Sequence, residues 1–329
     1  MSYTSGGTIE ATDYNGFVST ASGANINDIW GTGSADKGYG QSALSTVSTA
    51  GTVTATQWAS LVNTITSIAA HQGTSITSRT APSAGDTISI LSAVNTDLTT
   101  VTTNRGDAAA SGTEIVAFSG TSSKTSGTGS GTSAWTIVFT HTITFPSADQ
   151  ARYFWNAGGL VKWNSSKTST GELADAEWND LATTLVGDIY ISGGTATQSI
   201  NGVDYTGTTK VGGAGSPSTL TTTTGWYDLT TSDTLIYKQF ADTAPYTGSF
   251  IQIQAKTAGS GTQLVLTSTW SDPGGSGAGS ADNISGGTAT NSPFSSFGTA
   301  PANIVTVIPP STANLTDSWG TPTVAATTT

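Results

Sequence analysis

The chain reads as an α+β protein, mainly β: a small N-terminal helical module (residues 1–112), a central α+β module (113–193) and a C-terminal β-sandwich or jelly-roll-like domain (194–329). Three observations predict this. Apolar residues recur every three to four positions in the N-terminal part, the spacing of an amphipathic helix. From Thr113 the period falls to two, as in strands with one buried face. Beyond residue 194, short apolar runs alternate with Gly and Pro, which favours a sandwich.

The helical part rests on a recurring pattern. Ile9–Val18, Val53–Val62 and, more faintly, Leu173–Ala182 each place a small or hydroxyl residue before an acid or amide, then an aromatic, then an apolar residue three later. This is how a helix begins: Thr54 is a candidate N-cap and Gln57 stands at the capping-box position. Trp58, Leu61, Val62, Ile65 and Ile68 then form one apolar stripe, expected to pack into a core. A second helix is expected from about Asp86 to Thr103, with Leu91, Val94, Leu98 and Val101 on one face. Its β-branched residues make it a mediocre helix in isolation. Packing must stabilise it, and copies of the same helix in an oligomer are the candidate partner.

In the central module, Ile137, Phe139, His141, Ile143 and Phe145 alternate with Thr and Val and predict a strand. Ile115–Phe118 is its expected partner, and Ser119–Ser133 reads as a loop or hairpin tip. Ser147 and Gln150 form another capping box, opening a short helix with Ala151, Phe154 and Trp155 on one face. Gly158-Gly159 stops it, and Leu160–Trp163 continues as a strand. Further on, Leu235–Phe240, Ser249–Lys256, Gln263–Trp270 and Ile304–Ile308 are strand candidates. The pattern of Gly193–Thr224 fits a long loop, a linker or irregular edge structure.

Composition narrows the function. Only 9% of residues are charged, the net charge is -11, and Ser and Thr make up roughly a third of the chain. Ten basic residues without a cluster neutralise few phosphates, so no nucleic-acid partner is expected. The negative sign disfavours anionic lipid, and no apolar run approaches a membrane span. Absence of Cys removes disulfides and thiolate chemistry. The start MSYTSGGTIE carries no export signal, although the hydroxyl-rich surface suits an extracellular protein. A virion protein, assembled inside a cell and exposed after lysis, reconciles the two, and secretion by a signal-less route is the competing explanation. Nine each of Trp, Tyr and Phe supply core material throughout the chain.

A search for chemistry finds little. His141 lies on the apolar face of its strand and is expected to be a hydrogen-bonded core or subunit-contact residue rather than a catalytic base. His71, at the end of the Trp58 helix, is expected to complement the helix dipole as a cation. Glu172, Asp175 and Glu177 could make a glycosidase acid pair, but acids near a helix start are stabilising in any case. No transition-metal motif and no phosphate loop is present, so no cofactor is expected; a surface Ca²⁺ held by scattered Asp and carbonyls stays open. Trp226-Tyr227 and Trp319 are candidates for stacking on sugars.

Several segments together resemble a known family. Ile9-Glu-Ala-Thr-Asp-Tyr-Asn15, Gly38-Tyr-Gly-Gln41 and Gly51-Thr-Val-Thr-Ala-Thr-Gln-Trp58 with Leu61 resemble a module of tailed-phage virion structural proteins, many of them from T4-like phages of marine cyanobacteria. Phe145-Pro-Ser-Ala-Asp-Gln-Ala-Arg-Tyr-Phe-Trp-Asn-Ala-Gly-Gly159 resembles a second element, usually A-R-Y-F-F-N-x-G-G, with Trp155 in place of the second Phe. The resemblance covers about the first 190 residues well and the remainder loosely. It implies a non-enzymatic structural protein of the tail, neck or fibre apparatus on the particle exterior, with other virion proteins as partners and no catalytic residues. A head decoration protein on the capsid is the alternative, and a glycan-binding or glycan-degrading appendage a more distant one. A homo-oligomer, preferably a trimer, is expected. The N-terminal module would attach to the particle and the β domain would face solvent or host glycan. The expected packing and contact residues are Trp58, Leu61, Leu91, Val94, Leu98, Val101, His141, Phe154 and Trp155.

Overall fold

Capping signals in the sequence set the helix starts. In α1 (Ala11–Val18) the Asp13 carboxylate accepts from the Glu10 N–H at 2.9 Å. A four-residue α2 (Ile26–Ile29) follows, with Asn25 accepting from the Asp28 N–H. In α3 (Ala55–Gln72) the Thr54 hydroxyl accepts from the Gln57 N–H, and the Gln57 amide oxygen accepts from the Thr54 N–H at 2.8 Å. Gly73, with φ of 65°, ends it in the left-handed conformation that lacks a penalty only for glycine. α4 spans Leu91–Thr103. The structure, a computed structural model, describes residues 10–19, 25–84, 91–107, 118–123, 135–169, 173–195, 197–200, 202–244, 246–272 and 301–329; the side chains of Leu91, 118–123, Trp135 and 173–175 lie outside it.

The stripe on α4 meets a different partner from the one expected. Val94, Leu98 and Val101 are fully buried within the single chain, and α4 packs on α3. Gln72 at the end of α3 donates to the Val101 carbonyl at 2.9 Å, fixing the pair. A face covered by its own neighbour is covered without the entropy cost of association. These residues are therefore core, not an oligomer seam.

The β elements are β1 (Phe118–Ser123), β2 (Trp135–Thr144), β3 (Leu160–Ser166), β4 (Asp188–Ile191), β5 (Gln198–Ile200), β6 (Val203–Tyr205), β7 (Thr208–Val211), β8 (Thr219–Leu220), β9 (Thr234–Phe240), β10 (Phe250–Ala258), β11 (Gln263–Asp272), β12 (Ala302–Ile308) and β13 (Thr323–Thr328). Two further helices interrupt them: α5 (Ala148–Asn156), capped by Ser147, and α6 (Leu173–Asn179), which runs on as a π turn over Asp180–Leu185. The strands form one sheet in the order β1-β12-β3-β4-β7 and another in the order β13-β2-β11-β10-β9-β8, with β5–β6 a separate hairpin. Every pairing among the described residues is antiparallel.

The fold is thus α+β and mainly β, with the inner faces of the two sheets turned toward one another. Alternation puts Ile137, Phe139, His141 and Ile143 of β2 inside, with Leu264, Leu266 and Trp270 of β11 beside them. Trp163, Val305 and Val307 line the opposite sheet. The Trp270 indole N–H crosses between sheets to the Asn303 side-chain oxygen at 3.0 Å, and Trp178 of α6 stacks on Trp270 with ring centroids 5.7 Å apart.

Several expectations need correction. β2 pairs with β11 and β13; of the expected partner Ile115–Phe118 only Phe118 lies within the described residues, at the start of β1, which pairs with β12 in the other sheet. The Ser-rich run beginning at Ser119 opens as a strand rather than a loop; the remainder of that run, 124–134, lies outside the described residues. The division at 193/194 runs through both sheets, because β2 and β3 precede it and their neighbours β11 and β12 follow it. Nor are the helices a separate core: Trp58 and Leu98 belong to the same apolar cluster as Phe139, Trp163 and Trp270. Such long-range pairing leaves no local signal, since a strand's period reports burial and not its neighbour. Gly193–Thr224 supplies β7 and β8, the terminal strands of the two sheets, and the separate hairpin β5–β6.

Candidate functional site

The segments singled out above pack in two places, α1 on the start of α3 and, along a seam, residues 38–41 on α5. Tyr14 and Phe17 of α1 set their rings edge-on to Trp58 of α3, at centroid distances of 5.6 and 5.9 Å. The irregular run 38–41 lies against α5. A Cβ on Gly40, whose φ is +68°, would enter the Tyr153 ring, so only glycine lets the backbone approach this closely. Gly159 has the same relation to the Phe154 ring.

Polar groups lock the seam. Asn156, 3% exposed, donates to the carbonyls of Ala35 at 3.3 Å and Gly38 at 3.1 Å and accepts from the Tyr227 hydroxyl at 2.6 Å. Arg152 donates to the carbonyls of Thr32 and Lys37, both at 2.7 Å. Gln41 pairs with the backbone of the crossover between β12 and β13, donating to the Thr316 carbonyl at 2.8 Å and accepting from its N–H at 2.9 Å. His71 donates from Nε2 to the Ala157 carbonyl at 2.8 Å, and its ring lies edge-on to Tyr39. The Tyr39 hydroxyl donates to the Arg105 carbonyl and accepts from Gln72. A helix end, a loop, α5 and the C-terminal crossover are thereby joined by buried and part-buried hydrogen bonds, although His71 Nδ1 and Gln72 Oε1 are enclosed without partners.

Burial decides the protonation here. His71 is fully buried, and desolvation pushes its pKa down to about 4, with the Ala157 hydrogen bond pulling the other way. It is neutral at pH 7, not the dipole-compensating cation expected, because a buried charge without a counter-charge is too costly. His141 is enclosed between the sheets as a core residue. Burial lowers its pKa to about 4 as well; the facing Asn303 backbone only partly offsets this, and neither ring nitrogen makes a well-formed hydrogen bond. Burial raises the Tyr39 and Tyr227 phenols.

The remaining sequence candidates are also packing groups. Trp58, Leu61, Phe154 and Trp155 are buried, and Trp155 stacks on Trp226 with centroids 5.4 Å apart. Val94, Leu98, Val101 and His141 are buried as described; the Leu91 side chain lies outside the described residues. Trp226 and Trp319 are 7% and 2% exposed, so neither offers an open face to a sugar, and the Tyr227 hydroxyl is committed to Asn156. Trp226 is covered by Trp155 and Phe145 from distant segments.

One acidic grouping appears among the described residues. Glu177 on α6, Asp180 at the start of the π turn and Asp242 after β9 place carboxylate oxygens within 4.8 Å of one another. Glu177 is 7% exposed, and its pKa is raised by burial, opposed by hydrogen bonds from Thr243 and reinforced by Asp180 and Asp242. Of the acids singled out from sequence, Glu172 and the Asp175 side chain lie outside the described residues. Asp180 was legible as the i+3 neighbour of Glu177 on a helix face; Asp242, on a distant segment, was not. Gln41, Asn156 and Tyr227 were missed as locking groups, though Gln41 and Asn156 sit within the segments Gly38–Gln41 and Phe145–Gly159 singled out above. Among the described residues no helix is long and apolar enough to cross a membrane. Comparison with protein-family models, curated proteins and solved structures finds no match for the chain.

Proposed function

We propose that this chain is a non-enzymatic structural protein of a tailed-phage virion, part of the tail, neck or fibre apparatus and exposed on the particle exterior. One observation carries the reading: segments that resemble the phage family pack on one another in pairs, α1 on Trp58 of α3 and residues 38–41 on α5. Gly40 packs against Tyr153, Asn156 donates to the Gly38 carbonyl, Gly159 packs against Phe154, and Trp58 anchors α1 to α3. Short matches scattered over a surface would carry no such unit. The chemistry of these residues is that of a joint, with apolar rings, tight glycines and neutral amides, and it asks for no substrate. The charge-poor, hydroxyl-rich composition and the interleaved antiparallel sheets suit a part that must persist outside a cell. Other virion proteins are the partners in this reading. Association into a homo-oligomer, with a trimer preferred, belongs to it and uses a surface other than the buried stripe of α4.

Quantitative mass spectrometry of purified particles, with antibody labelling of the full chain, tests this. Tens of copies at the tail or neck are expected. Hundreds over the head would replace the proposal with a capsid decoration protein, and absence from particles would refute it. Release of reducing sugar from host polysaccharide by the full chain, lost in Glu177→Gln, would overturn the non-enzymatic assignment.

A further inference from the structure

We propose that Glu177, Asp180 and Asp242 bind a Ca²⁺ ion that ties α6 and its π turn to the segment following β9. The inference stands apart from the virion reading. Three carboxylates lie within 4.8 Å of one another, Glu177 one turn before Asp180 on the same helical face and Asp242 brought in by the sheet. A second observation points to a ligand. Glu177 is 7% exposed; Thr243 hydrogen-bonds its carboxylate, yet the Oε1 oxygen is enclosed without a hydrogen-bond partner. Buried carboxylates are ordinarily paired, hydrogen-bonded or bound to metal. Here the charges acting on Glu177 are those of two further acids. None of the ion pairs among the described residues includes any of the three.

The donor set selects the cation. It is all oxygen, with neither His nor Cys, which suits a hard divalent ion rather than zinc or copper. Ca²⁺ takes six to eight oxygens at about 2.3–2.6 Å in adaptable geometry, so oxygens on opposite sides of it stand up to about 5 Å apart. Mg²⁺ needs a tighter octahedron at about 2.1 Å and gives up water reluctantly. The exposed Asp242 and half-buried Asp180 leave the outer side open for waters to complete the shell. The Thr243 hydroxyl, which donates to Asp242 Oδ1 at 3.2 Å, steadies that carboxylate. The consequence reaches the core, since the neighbouring Trp178 stacks on Trp270 between the sheets.

The test uses the full chain stripped with chelator. Thermal unfolding is followed with and without millimolar CaCl₂, and Tb³⁺ luminescence is excited through tryptophan, with Trp178 adjacent to the site. Expected are a rise in Tm with Ca²⁺, a smaller rise with equal Mg²⁺, and Tb³⁺ emission displaced by Ca²⁺. Asp180→Asn and Asp242→Asn, chosen because neither side chain is fully buried, should keep the far-UV spectrum and weaken Ca²⁺ and Tb³⁺ binding about tenfold or more. A wild-type chain that shows neither Tm shift nor emission would overturn the site. So would variants that respond as wild type does. A larger shift with Mg²⁺ would overturn the choice of Ca²⁺.

Discussion

Replacing Asn156 by Ala removes the central lock between the N-terminal segment and the β body. Three hydrogen bonds disappear, to Ala35, Gly38 and Tyr227, in a position only 3% exposed. Each is worth about 1 kcal/mol net, and a buried group left without a partner costs about 1–3 kcal/mol. The loss should therefore be about 3–5 kcal/mol, a large share of the roughly 5–15 kcal/mol that holds a protein folded. Tyr227→Phe removes one of the three bonds and should cost about 1–2 kcal/mol. The double variant should lose less than the sum, with a coupling of about 1 kcal/mol, because both singles break the same 2.6 Å bond. Equilibrium urea unfolding followed by tryptophan fluorescence and far-UV circular dichroism measures this. One transition is expected, shifted equally in both probes, since helices and sheets share one apolar cluster. The reasoning fails if Asn156→Ala costs under about 1 kcal/mol, or if the helical signal melts separately from the fluorescence.

Further predictions concern the same core. Gly40→Ala forces a methyl group into the Tyr153 ring at a positive φ and should destabilise by about 2–4 kcal/mol; a change under 1 would show that the backbone moves aside freely. Leu98→Ala should lower stability by about 2–5 kcal/mol and leave the mass measured by light scattering unchanged, whereas a change of mass with stability intact would restore the helix as an oligomer contact. Acid should weaken the fold through its histidines. Both pKa values stand near 4 when folded against 6.5 in the free side chain, so the unfolded state binds more protons between those values. Stability is complete above about pH 6.5 and falls as pH drops toward 4, by about 3 kcal/mol for each histidine. Urea midpoints at pH 7, 5.5 and 4.5 test it, and His141→Leu should shrink the fall; a pH-independent midpoint would contradict the burial of both rings.

What was legible in the sequence was local. Thr54 with Gln57 and Ser147 with Gln150 announced helix starts because a cap is satisfied within three residues. The alternation around Phe139 announced a strand because a pleat sorts neighbours onto two faces. Glu177 drew notice as an acid on a helix, and Trp58, Phe154 and Trp155 as core, for the same local reasons. Tertiary structure alone decided which face met which. The stripe of Val94, Leu98 and Val101 carries no mark distinguishing a helix of its own chain from a copy, and only the approach of α3 settled the matter. Likewise β1 joins β12, Asn156 finds Tyr227 and Asp242 reaches Glu177 across long stretches of chain. Apolar and hydrogen-bonding surfaces specify what must be covered, whereas the covering partner is chosen by the geometry of the whole fold.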